Sequence, residues 1–195
     1  NSSYLSSLSD NIIEPIQYFP LSQNTPNYKI HEKNLEQIYL NISFPICDKF
    51  SDDKYILDII KTLLGGTMNS RLFVDLREKN GLSYQISVSN RAYEKYGDFT
   101  IFTSFDKKSL YNLHSKTTEL TLDSLLKDLF TNNLKEIKPG ALGIIIDNLI
   151  KLKNEPISEK ELEDFKGYMT GSLQIFFDDI GNLTDYYLNQ LIFFS

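Results

Sequence analysis

A chain of 195 residues with 41% apolar and 24% charged side chains holds enough material for one domain with a full core. Its 26 acidic residues against 20 Lys and Arg leave a net charge of −6, which argues against nucleic acid as the main partner, because phosphate binding needs a basic face. Cys47 is the single cysteine, which excludes an internal disulfide and fits a reducing compartment or an organelle matrix, and no apolar run approaches the roughly 18–20 residues of a membrane span.

The chain opens on Asn1, with no starting Met or signal peptide, and so reads as a processed or partial chain whose targeting is not legible. Residues 1–27 are rich in Ser and Asn, carry Pro15, Pro20 and Pro26 and show no periodicity, which predicts a linker or interdomain arm. From Gln37 to Phe44 the sequence alternates, with Ile38, Leu40, Ile42 and Phe44 on one face, and predicts a half-buried strand ending at Pro45. Ser51 or Asp52 can cap a helix whose Ile56, Ile59, Ile60, Leu63 and Leu64 share a face. Gly65 and Gly66 can take the positive φ that closes it.

Asn69 or Ser70 then caps a second helix with the stripe Met68, Leu72 and Leu76, stopped at Asn80-Gly81. Leu82, Tyr84, Ile86 and Val88 alternate with Ser83, Gln85, Ser87 and Ser89, which predicts a strand with the first set inward. Residues 97–104 read as its antiparallel hairpin partner across a longish loop.

The second half is helical. Leu122, Leu125, Leu126, Leu129 and Phe130 form one stripe. Pro139-Gly140 opens a helix that buries Leu142, Ile146, Leu149 and Ile150, with Pro156 after its end. Ser158 and Glu161 form a capping box for a helix with Leu162, Phe165, Met169 and Leu173 inward. A last helix after Gly181 carries Leu183, Tyr187, Leu191 and Ile192. Strands followed by helices predict an α+β fold, a mainly antiparallel sheet with helices packed on one face.

For chemistry, a catalytic zinc centre needs three protein ligands and an open position. His31 and His114 are the only histidines, far apart and without acidic partners at ligand spacing, and both read as surface residues. Cys47 has no basic or histidine neighbour to lower its pKa, which argues against a nucleophile. Arg71 reads as structural, pairing with Asp75 at i+4, and Glu159, Glu161, Glu163 and Asp164 as an exposed first helical turn. Two residues flank the turn at 80–81. Arg77 falls in the last helical turn, where a cation contributes about 0.3–1 kcal/mol against the helix dipole. Tyr84 falls early in the strand, where periodicity makes it a core tyrosine.

Gly65-Gly66, Ser70-Arg71-Leu72-Phe73, Leu76-Arg77-Glu78, Gly81-Leu82 and Tyr84, in that order, resemble the signature of the pitrilysin/insulinase family of zinc metallopeptidases. The family is of the inverzincin kind and includes mitochondrial processing peptidase. The resemblance is to its C-terminal type of domain, the half that binds no metal. Its zinc motif, H-x-x-E-H, lies in the other domain and occurs nowhere in this sequence.

The resemblance implies a zinc-dependent metalloendopeptidase acting on unfolded peptides, with this chain as its substrate-binding half. Zinc would be held by a missing N-terminal-type domain or a partner subunit, and the partners would be that half and a peptide substrate. It assigns Arg77 and Tyr84 as catalytic and substrate-binding residues: the arginine reaches across the cleft, and the tyrosine hydroxyl donates towards the scissile carbonyl. The alternative it leaves is a non-catalytic relative acting as scaffold or peptide-binding subunit. It covers about residues 35–104 and 139–195, so residues 28–195 are expected to be one peptidase-type domain, with an insertion at about 105–138 and a truncated C-terminus.

Overall fold

The computed structural model describes residues 27, 29–31, 33–106, 109–110 and 140–194. The chain divides into units 1–31 and 32–195, and the sheet and helices belong to the second. The predicted arm, residues 1–27, lies outside the described residues except for its last position. So does the stripe Leu122–Phe130. Of the expected insertion, Phe105 and Asp106 instead close a strand.

Three antiparallel strands, β1 (Gln37–Ile46), β2 (Ser83–Ala92) and β3 (Gly97–Asp106), form a sheet in the order β1-β3-β2. β3 is central, and its alternation sets the two faces. Phe99, Ile101, Thr103 and Phe105 are buried; the register places Ile42 of β1 and Val88 of β2 on either side of Ile101. Pro45 does not end β1, as expected, but lies within it. Among the described residues β1 pairs on one side only, so the missing N–H of proline is tolerated there. The β2–β3 hairpin forms as predicted, closed by Tyr93 N donating to Tyr96 O at 2.7 Å.

Helix α1 (Asp53–Lys61) continues into a π-wound turn, Thr62–Gly66, and a second π-wound helix, α2 (Phe73–Glu78), follows. Neither glycine in the turn has positive φ; Gly65 sits at φ −157°. Glycine is required there by proximity, because a Cβ would overlap Val88 Cγ2 and lie 3.1 Å from Val88 Cβ. Leu72 and Leu76 are fully buried, but Met68 stands before the helix, 74% exposed, and is no part of the stripe. Ser70 does not cap α2: its buried hydroxyl finds no partner among the described residues.

Helices α3 (Ala141–Asn154), α4 (Glu159–Asp178) and α5 (Ile180–Phe194) complete the chain. One core joins Leu64, Leu72 and Leu76 to Val88, Ile101 and Phe105 of the sheet and to Ala141, Ile144 and Ile145 of α3. Of the predicted buried face of α3, Leu142 is buried and Leu149 packs against the core, but Ile144, Ile145 and Asn148 are also inward and Ile150 is exposed; Asn148 Nδ2 donates to Asp75 Oδ2 of α2 at 3.0 Å. The capping box of α4 forms as predicted, with Glu161 N donating to Ser158 Oγ and Ser158 N to Glu161 Oε2. Phe165 is buried as predicted, while Leu173 is exposed rather than inward; Tyr187, Leu191 and Ile192 of α5 are exposed as well. The architecture is α+β, with helices packed on the Phe99–Phe105 face.

Candidate active site

The segment from Ser70 to Gln85 carries both predicted site residues, and its backbone is tightly fixed. At the end of α2, Lys79 N donates to Val74 O (2.9 Å), Gly81 N to Arg77 O (3.0 Å) and Leu82 N to Leu76 O (2.7 Å). Asn80 Nδ2 takes Asp75 O at 2.7 Å. Gly81, at φ 60°, supplies the left-handed residue that such a helix end favours. The last-turn carbonyls are thus satisfied without any help from Arg77.

Arg77 is exposed, its guanidinium carbon 5.0 Å from the centre of the Phe73 ring one turn earlier. That cation–π contact orients the side chain and leaves its fork of donors open. The helix-capping account of Arg77 therefore explains less than its position in sequence suggests.

Tyr84 is not a core tyrosine. It is 64% exposed, and its hydroxyl finds no partner among the described residues. The cause is a β-bulge: Ser83 pairs with Phe105 and Gln85 with Ser104, so Tyr84 is the extra residue between them. Ser83 takes the inward place instead, at 4% exposure. Past the bulge the expected alternation resumes, with Ile86 opposite Thr103 and Val88 opposite Ile101. The outer face beyond Tyr84 presents Gln85, Ser87 and Ser89, and across the sheet Ser43 Oγ meets Thr100 Oγ1 at 2.9 Å.

Arg71 does not pair with Asp75. It makes a bidentate bridge to Glu161 at the start of α4, Nε to Oε1 at 2.9 Å and Nη2 to Oε2 at 3.1 Å. The Arg71 guanidinium, together with the Ser158 hydroxyl and amide, holds the Glu161 carboxyl down at about 2, against the upward pull of burial. Glu161 is therefore a paired carboxylate rather than surface charge. Asp75 instead binds Lys79 (2.9 Å) and Asn148. Burial, the largest single influence, would raise its pKa, but these hydrogen bonds together with the charges of Lys79 and Lys151 outweigh it and the net shift is downward.

Sequence reasoning missed three residues here: Ser83 beneath Tyr84, Phe73 beneath Arg77, and Glu161 against Arg71. Phe73 was legible at i−4 from Arg77. Ser83 was not, because a regular alternation carries no sign of a bulge.

Zinc was expected in another half. Among the described residues no group of three or more His, Cys, Asp or Glu is placed to hold a metal ion; His31 is exposed and His114 lies outside them. These residues do not fit a zinc centre. No helix among them is long and apolar enough to cross a membrane.

The family model described as the peptidase M16 inactive domain matches residues 2–167. The chain is 33% identical over 121 residues to the uncharacterized zinc protease YmxG of Bacillus subtilis, covering 60% of this chain and 29% of that protein. It is 36% identical over 88 residues to an uncharacterized zinc protease of Rickettsia felis, covering 44% and 21%. It thus spans less than a third of the length of these curated relatives. Its fold resembles the peptidase M16 inactive domain from Pseudomonas fluorescens, with TM-score 0.50 and 23% identity over 71% of this chain and 27% of that one. A protease from Helicobacter pylori aligns with TM-score 0.60 and 16% identity over 98% and 43%. The chain belongs to the peptidase M16 family, as a domain of its inactive, C-terminal type.

Proposed function

We propose that this domain is the substrate-binding half of a zinc-dependent endopeptidase, completing a site whose metal is held by another domain or a partner subunit. One observation carries the reading. Arg77 and Tyr84, seven residues apart, both project to solvent, Arg77 from a helix end whose carbonyls are satisfied and Tyr84 from a bulge held between two paired residues, Ser83 and Gln85. Polar and aromatic side chains exposed on so fixed a scaffold suit positioning of a ligand. The names of the curated relatives support a zinc protease as the whole, and the word inactive suits a half that holds no metal.

In that assembly zinc supplies Lewis-acid polarisation of the scissile carbonyl. The work of this chain is to bind and orient. The guanidinium fork of Arg77 holds carbonyl or carboxylate oxygens of an extended peptide. The Tyr84 hydroxyl donates a hydrogen bond where negative charge develops on the carbonyl oxygen. The net charge of −6 gives no support to a nucleic-acid partner.

The test is cleavage of an unstructured fluorogenic peptide by the parent protein, with and without a chelator. Activity is expected to vanish with chelation and return with zinc. Arg77→Ala and Tyr84→Phe are each expected to lower kcat/KM by about 10²-fold, the scale of a lost oxyanion donor. Unchanged turnover in both variants overturns the assignment. A parent without zinc or activity favours a scaffold subunit instead.

A further inference from the structure

Three hydroxyls lie buried where β2 meets β3: Ser83 at 4%, Thr103 at 0% and Ser104 at 2% exposure. Two of them, Ser83 and Thr103, sit on the face that otherwise carries Phe99, Ile101, Phe105 and Val88. Valine would fill such positions and suits a strand better, so polar groups there call for a reason. Ser83 Oγ lies 2.8 Å from Thr103 Oγ1, 2.9 Å from Ser104 O and 3.0 Å from Gln85 O. A serine hydroxyl has one proton and two lone pairs. It therefore accepts from Thr103 and shares its own proton between the two carbonyls. Those carbonyls belong to the residue just past the bulge and to the residue opposite it. The hydroxyl cross-links both strands at the point where the extra residue interrupts the ladder.

We infer that Ser83, with Thr103, is a positioning residue for Tyr84: their buried hydroxyl pair locks the bulge that turns the tyrosine ring out of the core and towards substrate. Without that lock the regular register competes, and in it Tyr84 would return to the inward face, as strict alternation predicts. The inference rests on the proposed role of Tyr84. It assigns the serine no contact with substrate.

A double-mutant cycle in the parent enzyme tests it, with the same fluorogenic peptide and with thermal unfolding of every variant. Ser83→Ala is expected to lower kcat about tenfold, the cost of a misplaced catalytic group, with KM changed less than about twofold. In the Tyr84→Phe background the same substitution is expected to change kcat by less than about twofold, because the hydroxyl being positioned is gone. Equal losses in both backgrounds, or an unchanged kcat for Ser83→Ala, overturn the inference while leaving the role of Tyr84 intact. Full activity in Tyr84→Phe overturns both. If Ser83→Ala fails to fold, Thr103→Val, a near-isosteric loss of the partner hydroxyl, is run through the same cycle and decided by the same criteria.

Discussion

At Gly65 the sheet and the π-wound turn approach so closely that a single added carbon would overlap Val88 Cγ2. Val88 is β-branched and stiff at χ1, so it cannot simply swing aside. Gly65→Ala is expected to destabilise the fold by about 1–3 kcal/mol, the usual cost of overpacking a filled core. In a Val88→Ala background the same change should cost less, because the overlap with Cγ2 is gone and only the 3.1 Å approach to Cβ remains. Urea midpoints of the four proteins check this, and equal costs in the two backgrounds would refute the contact as the reason for the glycine. The Gly-Gly pair was visible in the sequence, but its reason was not. A helix-closing φ and a close approach across the fold leave the same letter, and only the tertiary neighbour separates them.

Elements here were easier to read than the contacts between them. The strand at 37–44, the hairpin and the capping box at Ser158 were all legible, since each depends on alternation or on residues within one turn. What joins elements was not. Arg71 meets Glu161 across 90 residues, a pairing that no local spacing announces. This bridge fastens the start of α4 to the chain just before α2 and carries a pH dependence of defined sign. The Glu161 carboxyl sits at about 2 in the fold against 4.5 ordinarily. Its contribution is therefore complete above the ordinary value and is lost as pH falls from about 5 towards 2. The pair is partly exposed, so salt screens it and the effect is moderate. Glu161→Gln preserves a capping-box partner while removing the charge. Its unfolding midpoint is expected to fall less steeply than wild type between pH 5 and pH 2. Parallel curves for the two proteins would show that the bridge adds nothing.

On the scale of the whole molecule, the site was half legible. The motif named Arg77 and Tyr84, and the fold puts both in solvent, but periodicity alone would have buried the tyrosine. The same limit shows on the last two helices: Leu173 of α4, predicted inward, is 47% exposed, and Tyr187, Leu191 and Ile192 of the α5 stripe are 59%, 65% and 68% exposed. An apolar stripe tells that a helix has a face, not what covers it. The proposed function separates metal from substrate clamp, one in each half, and this separation is measurable. If zinc is held entirely elsewhere, Arg77→Ala and Tyr84→Phe in the parent protein should keep the full wild-type zinc content while losing peptide cleavage. Zinc affinity in a competition with a chromogenic chelator should match wild type within about twofold, since neither residue supplies a ligand or a hydrogen bond to one. Zinc lost in step with activity would mean that these side chains support the metal site itself, and the division of labour proposed for the two halves would then be wrong.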